Sequence, residues 1–140
     1  MRSQVLLDTG PLVAFLNRRD RHHAWATAQL SRIAPPLLTC EAVISEACFL
    51  LRTLQNASGT VLNLIEQDLI KAPFRLQETI TSVKRLMTRY ANIPMSLADA
   101  CLVRMAEQYP EGVLLTCDSD FRVYRKHRRQ VIPTIMPNNG

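Results

Sequence analysis

The feature that most constrains the fold is a short apolar run that ends on a carboxylate and continues at once into turn residues. Val5–Leu7 is followed directly by Asp8. An apolar run without polar alternation is typical of a strand covered on both faces, as in a parallel sheet. Gly10 permits a tight turn, and Pro11 suits the first position of a following helix. Ligands of parallel sheets bind beyond the strands' carboxyl ends, so Asp8 is predicted to face a ligand, although an Asp here can also simply cap the turn.

The same pattern returns near the end of the chain. The apolar run Val113–Leu115 leads into Thr116, and Asp118 and Asp120 follow within five residues. This predicts a second strand whose carboxyl end carries acidic side chains. The alternative is that Asp118 or Ser119 only caps a basic helix, which we predict over 121–128.

Two predicted helices each place a carboxylate on an apolar face. In the helix predicted over 41–54, Glu46 falls within the apolar stripe, and Glu is rarely buried unless it is paired or bound to a metal. In the helix predicted over 96–108, Asp99 lies on the inner face. Ser96 and Asp99 also form a capping-box pattern, in which Asp99 would serve only the start of the helix.

The rest of the chain alternates predicted helices with short predicted strands. The further helices span 11–16, 22–33, 60–70 and 79–90, and the further strands span 37–39, 74–76 and 131–135. The residues expected to face the core from the two middle helices are Val43, Ala47, Leu50 and Leu54, and Leu62, Ile65 and Leu69. The alternation predicts one α/β domain over residues 1–140.

Composition excludes several classes of protein. The hydrophobic fraction of 47% and the charged fraction of 21% are those of an ordinary globular protein. No apolar run reaches the length of a bilayer span, and the first residues do not resemble a signal peptide, so a cytoplasmic location is expected. The four cysteines form no Cys-x-x-Cys pair and are expected to be reduced core thiols.

The positive charge favours a polyanionic partner. The net charge is +5, and only 6% of the residues are aromatic, so a nucleic acid would be held through its phosphates. The cations form two clusters, each of which could equally be a solvated face: Arg18, Arg19 and Arg21, and Arg122, Arg125, Lys126, Arg128 and Arg129.

The carboxylates Asp8, Glu46, Asp99 and Asp118 are expected to converge in one pocket. Like charges repel strongly at low dielectric, so such a cluster must bind protons or a cation. Oxygen ligands without His or Cys suit Mg²⁺ or Mn²⁺, which lower the pKa of bound water and grip phosphate oxygens. An acidic metal pocket on a basic protein predicts phosphodiester hydrolysis.

The segments that carry these acids resemble, in order and spacing, the four acidic motifs of PIN-domain ribonucleases. The resemblance covers essentially the whole chain. Within the family, a short chain that starts at the first motif and shows no further domain most resembles the toxins of VapBC-type bacterial toxin-antitoxin pairs. The four motifs are Leu7-Asp8-Thr9-Gly10-Pro11-Leu12-Val13-Ala14, Ser45-Glu46, Ser96-Leu97-Ala98-Asp99-Ala100 and Thr116-Cys117-Asp118-Ser119-Asp120-Phe121.

The resemblance implies a three-layer α/β/α sandwich with a central parallel sheet. It also implies a magnesium- or manganese-dependent endoribonuclease, an inhibitory antitoxin protein and a homodimer. The expected reaction is in-line attack on RNA by a metal-activated water.

Roles for individual acids follow from the resemblance. It makes Asp8 and Asp99 the principal metal ligands, and Glu46 completes the acidic ring. Asp118 would hold metal-bound water or a second ion. Asp120 would replace or assist Asp118, or only cap the last helix.

Residues around these acids receive supporting roles. Thr9 and Thr116 would be hydroxyls that orient the carboxylates. The side chains considered for RNA binding are Arg18, Arg19, Arg21, Arg122, Arg125 and Lys126.

Two other functions are compatible with the pattern. A receiver-like or phosphatase-like phosphoryl-transfer domain would need a lysine after a strand-end motif, and Lys71, Lys84 and Lys126 are not so placed. A module that binds RNA or a partner with little or no catalysis would keep the acidic pocket without using it for cleavage. Intact carboxylates in all four motifs argue against the second alternative.

Overall fold

The computed structural model describes residues 4–138, which form an α/β fold built from short strands and six helices. The strands are β1 (Val5–Leu7), β2 (Leu37–Leu38), β3 (Ile70–Lys71), β4 (Val113–Leu115), β5 (Arg125–Lys126), β6 (Gln130–Val131) and β7 (Thr134–Ile135). The helices are α1 (Thr9–Leu16), α2 (His23–Arg32), α3 (Glu41–Leu50), α4 (Ala57–Glu66), α5 (Ile80–Arg89) and α6 (Leu97–Gln108). None of the described helices is long and apolar enough to cross a membrane.

The central sheet has five parallel strands in the order β3-β2-β1-β4-β7. Strand β1 lies in the middle, where Leu6 is paired with Leu38 on one side and Leu114 on the other. Strands β5 and β6 form a separate antiparallel hairpin. The prediction of a parallel sheet within an α/β/α fold is therefore confirmed.

The alternation of side chains along β1 divides the core into two clusters. Leu6 packs in one cluster with residues of α5 and α6, and Val5 and Leu7 pack in the other with residues of α1, α2 and α4. Helix α3 contributes to both clusters, through Val43 on one side and Ala47 on the other. All three residues of β1 are buried, which explains its unbroken apolar sequence.

The strand predicted over 74–76 is wrong. The third strand is β3, which begins at residue 70, the last residue of the segment predicted to be helical. Helix α4 ends at Glu66, and Asp68 then adopts a left-handed conformation with φ 61°. A residue in that conformation ends a helix, so the chain turns early enough for Ile70 to pair with Leu37.

The inward faces predicted for the two middle helices are partly wrong. Leu50, Leu54, Leu62 and Leu69 are exposed, whereas Leu51, Ala57 and Val61 are buried. Helix α3 ends at Leu50, four residues before its predicted end, and a turn with Asn56 at φ 62° precedes α4. The predicted stripe of α3 ran past the end of the helix to Leu54, and in α4 it was displaced by one residue, since Val61 is buried and Leu62 is exposed.

The basic helix predicted over 121–128 is also wrong. The chain forms a short 3₁₀ turn over Ser119–Arg122 and then the β5–β6 hairpin. His127 and Arg128 adopt φ values of 48° and 70° in the hairpin loop, which is turn geometry and not helical. The strand predicted over 131–135 is split into β6 and β7, and Pro133 lies between them.

All four cysteines are free, as expected for reduced thiols. Cys40 and Cys101 are buried, and Cys48 and Cys117 are half-buried.

The neighbours Leu50 and Leu51 provide a matched test of the α3 boundary. Leu51→Ala should lower the free energy of unfolding by about 2–5 kcal/mol because it leaves a cavity in the core. Leu50→Ala should change it by less than about 0.5 kcal/mol because that side chain is 52% exposed. Urea unfolding of both variants measures the difference, and a larger loss for Leu50→Ala would contradict the boundary.

Candidate active site

Asp8 lies at the junction of β1 and α1. Its backbone N–H donates to the carbonyl of Leu115 at 3.0 Å, which continues the sheet pairing, and its Oδ1 accepts the N–H of Thr9 at 2.7 Å as the N-cap of α1. The prediction that Pro11 occupies the first position of the helix is therefore wrong, and it is the third residue. It fits there because the first N–H groups of a helix have no partner within the helix.

The second carboxylate oxygen of Asp8 binds the strand next to β1. The Thr116 hydroxyl donates to Asp8 Oδ2 at 2.6 Å and accepts the backbone N–H of Asp118 at 2.9 Å. This contact follows from the sheet register. Leu7 is paired with Leu115, so the residues that follow them, Asp8 and Thr116, lie side by side. The parallel pairing thus brings together two motifs that lie 108 residues apart.

An open cavity of about 610 Å³ lies beyond the carboxyl ends of these two strands. The four acids singled out in the sequence all line it. No Lys, Arg or His side chain lines it among residues 4–138. The acidic lining consists of Asp8, Asp20, Glu46, Asp99, Asp118 and Asp120.

Asp99 both caps α6 and lines the cavity. The Ser96 hydroxyl accepts the N–H of Asp99 at 3.0 Å, and Asp99 Oδ2 accepts the N–H of Ser96 at 3.3 Å, which completes the capping box. The Tyr124 hydroxyl also donates to Asp99 Oδ2 at 3.3 Å. The capping interpretation and the site interpretation of Asp99 therefore do not compete.

Glu46 lies at the rim of the cavity and not within an apolar face. The residue is exposed, and its Oε1 accepts the Thr9 hydroxyl at 2.6 Å. Its helical neighbour Leu50 is exposed and also lines the cavity, so this side of α3 faces the cavity and not the core. The prediction that Glu46 lies within a buried apolar stripe is therefore wrong, although the residue does line the cavity.

Asp118 and Asp120 lie close to each other on the 3₁₀ turn. Asp118 Oδ1 accepts the N–H of Asp120 at 2.9 Å, and both residues line the cavity. Asp20 was not singled out in the sequence. It lies in the loop between α1 and α2, where its Oδ1 accepts the N–H of His22 at 2.8 Å, and no apolar pattern around it signals a position at the site.

Burial and like charge raise the pKa values of two cavity acids. The pKa of Asp8 is raised to about 7, mainly by burial and to a smaller extent by the charges of Asp99 and Asp118. Hydrogen bonds from Thr116 and Thr9 act in the opposite direction. Burial also raises the pKa of Asp99, and the charge of Asp118 adds to the effect. Ionising all of these acids together therefore costs free energy unless a cation compensates them.

The donor set suits a hard divalent cation, because the six acidic side chains offer carboxylate oxygens. Cys117 also lines the cavity, but burial raises the pKa of its thiol to about 12, so its sulfur stays protonated. In the part of the chain that the structure describes, no three His, Cys, Asp or Glu side chains form a ready-made metal cluster. Both oxygens of Asp8 already accept hydrogen bonds. The fit to Mg²⁺ or Mn²⁺ thus rests on ligand chemistry and on the raised pKa values.

The basic residues predicted to contact RNA differ in their surroundings. Arg18, Arg19 and Arg21 are exposed in the loop that carries Asp20. Arg122, at the end of the 3₁₀ turn that follows Asp118, is exposed as well.

Arg125 and Lys126, which the sequence also indicated for RNA binding, lie on strand β5 and not on an exposed helix. The Arg125 guanidinium donates to the carbonyls of Arg122, Val123 and Tyr124 at 2.6–3.1 Å, so it stabilises the local backbone. Lys126 is buried, with 7% of its surface exposed.

Comparisons with known proteins agree with this architecture. The family model described as "PIN domain" matches residues 5–127. The solved structure of Mycobacterium tuberculosis VapC20, described as a sarcin-ricin loop cleaving toxin, superimposes with a TM-score of 0.76. The two chains are 16% identical over 86% of this chain and 94% of the other, so this likeness concerns the fold. No curated protein sequence matches the chain.

The buried Asp8 carboxyl should make stability depend on pH. The folded protein keeps the Asp8 proton up to about pH 7, whereas the unfolded chain loses it near the ordinary Asp pKa of 3.8. Without divalent cations, the contribution of Asp8 to the free energy of unfolding should therefore fall as pH rises from about 4 to 7. Unfolding curves of wild type and Asp8→Asn across this range test it, and parallel profiles would contradict it.

The Thr116 hydroxyl should hold down the pKa of Asp8. Thr116→Val removes the hydrogen bond that favours the charged carboxylate, so the pKa of Asp8 should rise above about 7. Thr116→Ser keeps the hydroxyl and should leave the pKa near the wild-type value. Carbon-13 NMR titration of the Asp8 carboxyl measures both variants, and equal values for Val and Ser would refute the role of the hydroxyl.

Proposed function

The chain belongs to the PIN-domain family, and we propose that it is a metal-dependent endoribonuclease that hydrolyses RNA phosphodiester bonds in the acidic cavity. One observation carries this proposal. A carboxyl group that is only 5% exposed lies at the end of the central strand, and its pKa of about 7 reflects burial and the nearby charges of Asp99 and Asp118. An isolated structural cap needs no such concentration of negative charge.

Asp8, Asp99 and Asp118 would hold the cation, and Glu46 would complete the acidic ring at the rim. When bound, Mg²⁺ or Mn²⁺ lowers the pKa of water and stabilises negative charge on phosphate oxygens. Asp120 assists Asp118, since both line the cavity and the N–H of Asp120 binds the Asp118 carboxylate.

The two threonines position the carboxylates. Thr116 fixes Asp8 through its hydroxyl and fixes the backbone of Asp118 through the same oxygen atom. Thr9 fixes Glu46. The Asp99 carboxylate accepts the Tyr124 hydroxyl, and the Asp118 carboxylate accepts the Asp120 N–H. Neutral donors thus orient all the carboxylates that would hold the cation, as is usual around the ligands of a metal site.

We further propose that the protein acts as the toxin of a VapBC-type pair, in which an antitoxin protein inhibits it, and that it forms a homodimer. The fold likeness to the toxin VapC20 supports this assignment. Exposed apolar side chains on α3 and α4, including Phe49 and Leu62, offer surface that a protein partner could cover.

Cleavage of a mixed RNA pool tests the nuclease proposal. Purified protein should cut RNA with Mg²⁺ or Mn²⁺, and EDTA should abolish the cleavage. Asp8→Asn should lower the rate at least about a hundredfold, because it removes a charged ligand from a cation that stabilises the transition state by several kcal/mol.

The matched control is Glu66→Gln, which removes one exposed carboxylate at the end of α4 and should leave the rate unchanged. Asp118→Asn and Asp120→Asn, measured side by side, determine which of the two acids matters more. Equal cleavage by wild type and Asp8→Asn, or cleavage that survives EDTA, would refute the proposal. Mg²⁺ that binds without any cleavage of the pool would favour a binding module instead.

A further inference from the structure

The acidic cavity cannot by itself attract RNA. Six carboxylates line it and no described basic side chain does, so its field repels phosphates until a cation binds. The chain nevertheless carries a net charge of +5. Cations that hold an RNA chain must therefore lie outside the cavity.

A second, basic cleft of about 450 Å³ lies on the outer side of α5. We name it the α5 cleft, and four of its six lining residues are cations. The lining residues are Thr81, Lys84, Arg85, Thr88, Arg89 and Arg128.

The local structure explains why these residues converge. Thr81, Lys84, Arg85 and Thr88 are spaced as i, i+3, i+4 and i+7, so they share one face of α5. Val83 and Leu86 occupy the opposite face and are buried in the core. The cleft follows the helix for about 10 Å, given a rise of 1.5 Å per residue.

The fourth cation comes from a different element. Arg128 lies in the β5–β6 hairpin loop, where its φ of 70° belongs to the turn. The hairpin is held beside α5 by the backbone N–H of Arg125, which donates to the Tyr90 hydroxyl at 3.0 Å. Tertiary structure thus adds a cation that the helix alone would not place there.

The charge of the α5 cleft is not compensated. No acidic residue lines it, and the ion pairs within residues 4–138 join Arg75 to Glu78 and Arg104 to Glu107, and so involve none of its four cations. All six lining side chains are exposed. Four exposed cations with hydroxyl groups between them and no aromatic ring suit consecutive phosphates, not a base or an apolar ligand.

The cleft is connected to the cavity by a short segment. Arg89 ends α5, and Pro94 and Ser96, which follow within seven residues, line the acidic cavity. Helix α6, which carries Asp99, packs against α5 in the same core cluster. The end of α5 that carries Arg89 therefore leads within seven residues into the lining of the acidic cavity.

We propose that the α5 cleft binds the phosphate backbone of the RNA substrate and holds it independently of sequence next to the acidic cavity. This inference rests on the proposed ribonuclease function. It assigns the binding of RNA to Lys84, Arg85, Arg89 and Arg128. Only Arg128 belongs to a cation cluster that the sequence indicated, and the three residues of α5 were not considered there for RNA binding.

Binding of a fluorescein-labelled single-stranded RNA pool tests the inference. All proteins carry Asp8→Asn to limit cleavage, and affinity is measured by anisotropy at several salt concentrations. K84Q/R85Q/R89Q/R128Q should weaken binding at least about tenfold at 0.1 M salt. It should also flatten the slope of log K against log salt by up to about 3, since each phosphate contact on a single strand contributes about 0.7.

The matched control is R32Q/R52Q/K71Q/R75Q, which removes one Lys and three Arg from exposed positions outside the cleft. It should retain the wild-type affinity and slope. Circular dichroism and thermal unfolding confirm that both sets fold. With Asp8 intact, the cleft variant should raise the KM for RNA more than it lowers kcat.

Equal loss of affinity in the two sets, or no RNA binding by the Asp8→Asn protein at low salt, would overturn the inference. So would cleft-dependent binding to anionic phospholipid vesicles or polyglutamate with RNA binding unaffected. Failure of the two proposals is distinguishable. Cleavage without a cleft effect refutes only the α5 cleft, and cleft-dependent binding without cleavage refutes only the nuclease.

Discussion

The structure depends on one hydrogen bond, between the Thr116 hydroxyl and the Asp8 carboxylate, at the place where the two central strands end. It couples strand pairing to site chemistry, because the pairing of Leu7 with Leu115 places the two side chains together. The other oxygen of Asp8 caps α1, so a single buried side chain joins two strands and a helix. Removal of that carboxylate changes packing, helix capping and charge at once.

The same carboxylate is costly to bury. Burial raises the pKa of Asp8 to about 7, and the charges of Asp99 and Asp118 oppose its ionisation. Neutral donors, the Thr116 hydroxyl and the Thr9 N–H, offset only part of this cost. Groups arranged at the expense of stability are typical of functional sites, since a purely structural role would be served equally well by an uncharged cap.

Charge is divided between two surfaces. Acidic side chains line the cavity, and a row of cations follows α5 with no acidic partner among residues 4–138. The acidic surface suits a cation and the basic surface suits a polyanion, so neither surface alone would suffice for a metal-dependent nuclease. The short segment between α5 and α6 links the helix that carries the cations to the lining of the acidic cavity.

The sequence by itself determined the α/β class with a parallel sheet, and it indicated Asp8, Asp99 and Asp118, because buried strands that end on carboxylates and capped helices leave local patterns. The motif resemblance added the three-layer α/β/α arrangement, and Glu46 was indicated by an apolar stripe that the structure does not bear out. Tertiary structure alone decided the rest. The end of α3 at Leu50 exposed the side of the helix that carries Glu46, the β5–β6 hairpin replaced a basic helix, and the α1–α2 loop brought Asp20 to the cavity. Those outcomes depend on where a helix stops and what packs beside it, which local periodicity does not encode.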